Sequence, residues 1–171
     1  AGNIEEVNQS RMHNVNAIAR KVPIIGPEDR LLEKRKRYIN NPHYRDNKIK
    51  LIHLGAFYGS FTAKSLLWFL NDIWPKVVLD LDQIDVELHI IGSGKPDADL
   101  IKKFDQKNIV YRGFVDDLWE DFSDTFAMLI PGKISTGIRI RMPMSFSIMV
   151  PVIGNRISFH GMPDAEDGKS V

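Results

Sequence analysis

The 171-residue sequence contains no cysteine. A disulfide scaffold, a cysteine nucleophile and a thiolate-ligated zinc or iron–sulfur centre are thereby excluded, and a reducing compartment is favoured. No apolar run approaches the roughly 20 residues that span a bilayer; the longest cover residues 65–70 and 146–153. The opening residues, Ala1 to Glu6, have neither the basic start nor the apolar middle of a secretory signal, and no initiator methionine precedes them. The expectation is a domain cut from a longer protein. Charge of one sign is not in excess either: 23 Lys and Arg against 22 Asp and Glu give a formal +1, which argues against a nucleic-acid partner. Internal repeats and low-complexity tracts are missing.

The familiar chemical signatures are missing as well. The sequence has no Walker loop, no Gly-x-Ser-x-Gly elbow, no His-Glu-x-x-His and no Gly-x-Gly-x-x-Gly after its first apolar run. The five histidines, at 13, 43, 53, 89 and 160, show no metal-ligand spacing, so no metal site is expected. His53 and His89 fall inside strand-like segments and read as satisfied core residues. Gly92, Ser93 and Gly94 lack the third glycine of a dinucleotide fingerprint and read as a tight turn.

What is present is alternation. Short Val-, Ile- and Leu-rich runs at 49–54, 86–91, 108–111, 126–130 and 150–153 each read as a buried strand, closed by glycine or by Pro131 and Gly132. Between them lie helical patterns at 64–81, 97–104, 115–122 and 138–148. Strands apolar on both faces, alternating with helices, predict an α/β doubly wound parallel sheet. Residues 1–47 differ: they read as a helical extension, with polar helices near 4–20 and 28–38. From Glu28 to Lys50 there are eight basic and four acidic residues. The dense run Lys34, Arg35, Lys36, Arg37 reads as a solvated helix face, with contact to anionic lipid or a phosphate-rich partner as the alternative. Residues 48–171 then form the Rossmann-like domain.

Doubly wound sheets bind ligands beyond the carboxyl ends of their strands, which singles out the loops at 55–62, 92–96, 112–115, 131–136 and 154–161. The fourth carries the clearest chemistry. Ser135 or Thr136 can cap the helix that follows, leaving the amides of Thr136, Gly137 and Ile138 free for a phosphate or diphosphate. Gly137 removes side-chain bulk there. Arg139 and Arg141 add positive charge.

The order and spacing of these segments resemble the C-terminal, donor-binding domain of GT-B glycosyltransferases of family four (group 1). The resemblance is carried by Ser65-Leu-Leu-Trp-Phe-Leu-Asn-Asp-Ile-Trp-Pro75, Glu87-Leu-His-Ile-Ile-Gly-Ser-Gly94, Asn108-Ile-Val-Tyr-Arg-Gly-Phe-Val-Asp-Asp-Leu118, Gly137-Ile-Arg-Ile-Arg141 and Val150-Pro-Val-Ile153. It covers about residues 48–168. It implies a nucleotide-diphosphate sugar as donor, UDP- or GDP-linked, with no further cofactor, and an acceptor glycan or lipid-linked sugar. Transfer would retain anomeric configuration, in the cytoplasm or at the inner membrane face, with an N-terminal domain supplying the acceptor site. By position it assigns donor binding to Gly55, Lys64, Arg112, Phe114, Val115, Ser135, Thr136, Gly137, Ile138 and Arg139, with Arg112 to Val115 bordering the base and Ser135 to Ile138 meeting the diphosphate. It assigns no catalytic residue.

The sequence departs from the family's pattern at three places. Met144 stands where the family carries the glutamate that binds the donor ribose, Thr136 where it has an earlier acidic residue, and Met149 where it has a glycine. Pro143 lies inside the expected last helix, which would start near Met142 or be kinked. Met142, Met144 and Met149 themselves read as core packing. The alternative function is a non-catalytic Rossmann-like module that has lost donor binding.

Overall fold

The computed structural model describes residues 27–41, 48–58, 60–81, 83–134 and 140–160. The sequence-predicted helix at 4–20 and the turn Ser135 to Arg139 lie outside these residues. A helix α1 (Asp29–Asn40) precedes β1 (Ile49–Ala56), α2 (Ser60–Asp72), α3 (Trp74–Asp80), β2 (Val86–Ser93), α4 (Ala98–Phe104), β3 (Ile109–Gly113), α5 (Leu118–Phe122), β4 (Ala127–Ile130), α6 (Arg141–Ser147) and β5 (Val152–Gly154). The strands pair in the order β3-β2-β1-β4-β5, and every pairing is parallel. This is the doubly wound sheet that the alternation predicts, with all five strands near their expected positions.

The strands are apolar on both faces because both are covered. On one face Leu51, Leu88, Ile90 and Leu129 pack with Leu66, Leu70 and Trp74 from the α2–α3 pair and with Leu100 and Phe104 of α4. On the other, Ile52, Leu54, Ile91, Met128 and Ile130 pack with Phe122 of α5, Met142 of α6 and Leu31 of α1. Local chemistry sets the element ends. Asp97 and Asp117 cap α4 and α5, accepting from the amides of Leu100 at 2.8 Å and Glu120 at 3.1 Å; such caps contribute about 1 kcal/mol each.

Three expectations need correction. The pattern at 64–81 is two helices, because Pro75 has no amide proton and its ring displaces the carbonyl four residues earlier; the chain breaks at Ile73 and restarts as α3. The basic run at 34–37 is not a uniformly solvated face. Leu31 and Arg35, four residues apart on one face of α1, are both 2% exposed. The Arg35 guanidinium donates to the Thr125 carbonyl and, through Nε and Nη2 at 3.3 and 3.0 Å, to the Met149 carbonyl. Lys34 and Arg30 pair with Glu120 on α5. Finally, of the three methionines read as core, only Met142 is fully buried. Met149 is 39% exposed and sits at φ +55°, the left-handed region that a glycine enters without strain.

Candidate functional site

Strand order reverses at β1. The chain moves outward from β1 to β2 and β3, then returns to the opposite side of β1 with β4. The carboxyl ends of β1 and β4 therefore flank a crevice, the place where doubly wound sheets hold ligands. On one side β1 runs into the 13-residue α2, whose first turn carries no acidic residue, so its partial positive charge is uncancelled. Gly55 lets this helix come close: a Cβ there would lie 2.7 Å from Thr62 Cγ2. Lys64, one turn into α2, is exposed. On the other side, the loop after β4 is tied to α2 by the Lys133 amide, which donates to Ser65 Oγ at 3.2 Å.

That second loop is braced from behind by the segment after β5. Asn155 Nδ2 donates to the Gly132 carbonyl at 2.6 Å, and Ser158 Oγ donates to the Ile130 carbonyl at 2.6 Å. A Cβ on Gly132 would lie 2.7 Å from Ser158 Oγ, so glycine is the residue that fits. Neither Asn155 nor Ser158 stands out in the sequence; their only signal is a place in one of the strand-end loops. At the start of α6 the Arg141 guanidinium donates to the Leu54 carbonyl, holding a cation at the carboxyl end of β1.

His53 lies beneath this crevice, 1% exposed. Its Nδ1 donates to the Leu129 carbonyl at 3.0 Å, so the Nδ1–H tautomer is fixed. Nε2 has no hydrogen-bond partner among the described residues. Burial, followed by the Arg141 cation, pushes its pKa down to about 3. The ring is neutral at physiological pH, and its one proton is committed to the Leu129 carbonyl. The expectation of a satisfied core histidine holds for one ring nitrogen and not for the other. His89 is similar: its Nε2 pairs with Glu87 at 3.1 Å, while Nδ1 is buried without a partner.

Further along the edge, residues 92–94 form a packing turn. A Cβ on Gly92 would lie 1.8 Å from the Gly55 carbonyl oxygen, and one on Gly94 (φ +88°) 2.2 Å from the Tyr58 ring. The three base-bordering residues separate. Arg112 is drawn to Asp121 of α5 at 3.3 Å, and Val115 packs against the second core cluster. Phe114 alone is presented to solvent, 71% exposed. Thus Gly55 ends β1 beside the switch-point crevice, Arg141 is held at the Leu54 carbonyl, Lys64 stands exposed one turn into the following helix, Phe114 lies two strands away, and the Arg112 and Val115 side chains are taken up elsewhere. Ser135, Thr136, Gly137, Ile138 and Arg139 belong to the loop after β4 but fall outside the described residues.

The profile of a family described as "Glycosyl transferases group 1" matches residues 48–171. No curated protein matches the chain. Among solved structures, TarM superposes with a TM-score of 0.62 at 14% identity, covering 98% of this chain and 31% of that one. WaaG, described as a glycosyltransferase involved in lipopolysaccharide biosynthesis, gives 0.61 at 14% identity, covering 91% and 43%. Anabaena Alr3699/HepE, solved with UDP and glucose, gives 0.56 at 10% identity, covering 90% and 43%. At these identities the likeness is one of fold, and the chain spans less than half the length of each.

Proposed function

Since this chain belongs to the group 1 glycosyl transferases, we propose that it is the donor-binding half of a GT-B enzyme and holds a nucleotide-diphosphate sugar at the β1–β4 crevice. The observation that carries this reading is the cationic, glycine-floored crevice itself. α2 begins with no acidic residue where β1 ends, Lys64 stands exposed one turn into it, and the Arg141 guanidinium is held at the Leu54 carbonyl, all beside the point where strand order reverses. In this reading the amides of Thr136, Gly137 and Ile138 complete the cradle, with Ser135 capping and Arg139 adding charge. Gly55 keeps the floor free of side chain. The diphosphate is the leaving group of sugar transfer. Fixed amides and cations that meet its growing charge lower the barrier without reorganisation during the step. The neutral His53 plays no acid–base part. A UDP-sugar is favoured over a GDP-sugar because a relative of the same fold was solved with UDP and glucose.

The remainder of the reading follows the family: transfer with retention to a glycan or lipid-linked acceptor, with the acceptor site on another domain, in the cytoplasm or at the inner membrane face. Among the described residues no helix is long and apolar enough to cross a membrane. A peripheral contact would use the cations of α1, of which Arg35 is buried and Lys34 already paired.

A second reading, a module without donor binding, is favoured by Met144, which offers no acceptor for a ribose hydroxyl where the resemblance places a glutamate. Calorimetric titration with UDP, GDP and their glucose or mannose conjugates separates the two. Donor binding predicts saturable uptake of one nucleotide and its sugar, weakened about tenfold by Lys64→Ala, a loss of roughly 1.4 kcal/mol. No uptake of any nucleotide by the wild type rules for the second reading.

A further inference from the structure

The sheet is split at its carboxyl end. Among the described residues the β1–β4 ladder is in register at Leu51 with Ala127 and at Ile52 with Met128, and no further, although β1 runs on to Ala56 and β4 to Ile130. Each strand keeps its outer neighbour to the end: β1 pairs with β2 as far as Ala56 and Ser93, and β4 with β5 as far as Ile130 and Gly154. Beyond Ile52 the sheet is therefore two leaves. One is β3-β2-β1, which leads into α2; the other is β4-β5, which leads into the loop beginning at Pro131. The crevice of the donor reading is the gap between them.

The sequence accounts for the split. The Met128 amide donates to the Pro151 carbonyl beside β5 at 2.8 Å. Backbone groups alternate in direction along a strand, so those of residues 129 and 131 turn toward β1. If the register continued, the Leu54 carbonyl would accept from residue 131, and that residue is a proline with no N–H to give. Side chains bridge the gap instead. On the α6 face of the sheet the Arg141 guanidinium donates to the Leu54 carbonyl. On the α2 face, which it shares with Leu51 by alternation, His53 donates through Nδ1 to the Leu129 carbonyl at 3.0 Å.

His53 stands there at a cost. Its Nε2 is buried with no partner among the described residues, an unmade hydrogen bond that a leucine would spare the fold. That nitrogen is sealed off from ligand as well. A Cβ on Gly55 would lie 3.3 Å from it and 2.7 Å from Thr62 Cγ2, so nothing larger than the glycine fits between. What the imidazole supplies and an aliphatic side chain does not is the opposite nitrogen, a donor on a ring that fills the gap.

We infer that His53 is a positioning residue of the donor site. Its ring, tethered to the Leu129 carbonyl, keeps the two leaves at the separation where one diphosphate meets both the first turn of α2 and the loop after β4. The inference rests on the donor reading and deepens it. A gap set before binding spares the ligand the ordering of its walls. Without the tether the Leu129 carbonyl is free to accept from the Leu54 amide, the bond that a continued ladder would make, and the gap closes.

Titration of the purified protein with UDP and inorganic pyrophosphate tests this, with urea unfolding of every variant. His53→Leu keeps the bulk and loses the donor; it is expected to bind both ligands about tenfold more weakly. His53→Asn, whose amide nitrogen takes the place of Nδ1, is expected to recover both to within about threefold of wild type. Leu88→Ala truncates β2 in the same core cluster; it lowers stability without touching the tether and is expected to bind as wild type does. Should His53→Leu not fold, His53→Gln takes its place, since its longer arm carries the amide past the Nδ1 position, and the same loss is expected. Wild-type affinity in the variant without the tether overturns the inference, while a loss in Lys64→Ala still upholds the donor site. Equal losses in that variant and in His53→Asn also overturn it, because the tether is then not what sets the gap. A matching loss in Leu88→Ala reduces the effect to stability and overturns it too. If the wild type binds neither UDP nor pyrophosphate, the donor reading falls and takes this role with it.

Discussion

The two edges of the sheet are finished in opposite ways. At the amino edge the chain satisfies itself. The Arg35 guanidinium spans the carbonyls that precede β4 and β5. Lys50 at the start of β1 reaches Asp121 at 3.2 Å and Asp124 at 2.8 Å. Lys48 pairs with Glu87 at 2.5 Å, and Asn108 Nδ2 donates to the Val86 carbonyl at 2.8 Å. At the carboxyl edge rings and cations are left outward, among them Tyr58, Phe61, Phe114, Lys64, Lys95 and Lys133. Its glycines serve close backbone approach. Stabilising contacts are concentrated at one edge, and the proposed donor binding falls at the other. Mutations should therefore separate the two properties by edge.

The largest expected effect is at the amino edge. Arg35→Ala leaves the Thr125 and Met149 carbonyls without their donor and opens a cavity beneath α1. A loss of about 3 kcal/mol or more in urea unfolding is expected, with nucleotide affinity of the folded protein unchanged. A shift in that affinity would show the edges to be coupled. Next is a pH effect under the carboxyl edge. The folded His53 pKa of about 3 lies below the ordinary 6.5, so between these values the unfolded chain binds the extra proton. Stability is unaffected above pH 6.5 and falls below it by up to about 1.4 kcal/mol per pH unit. His53→Asn, which keeps a donor near the Leu129 carbonyl, should flatten that slope in denaturant titrations at pH 4.5 to 7. An unchanged slope would assign it to other groups. The smallest effect is a gain: Met149→Gly relieves the left-handed strain at φ +55° and should raise stability by about 1 kcal/mol, read as a higher urea midpoint.

The sheet was legible because burial on both faces writes apolar runs that need no neighbour to interpret. The helix break at Pro75 was legible in principle from the missing amide proton alone. Arg35 was not. In a run of four cations nothing local says which one turns inward; only Leu31, one turn earlier on the same face, hinted at it. The αL backbone at Met149 is not written in the methionine itself; its only signal was the glycine that the family's pattern carries at that place. At the site, Gly55 and Lys64 could be placed by position in the chain. Tyr58 could not be singled out, because the Gly94 and Ser93 it rests on lie more than thirty residues further on and reach it only through the β1–β2 pairing.

That strand order also has a consequence in time. β1 is the first of the five described strands to be synthesised and the middle one in their sheet. Its ladder with β2 runs from Ile49 and Val86 to Ala56 and Ser93, and can close once the two-helix crossover between them has emerged. Its other side waits for β4, about seventy residues later, or roughly 4 to 14 s at ordinary rates of translation. For that interval a strand apolar on both faces presents an open row of amides and carbonyls, the kind of edge that recruits a second nascent chain. Until β4 arrives, this sheet exists as an unfinished edge that must be kept from its neighbours.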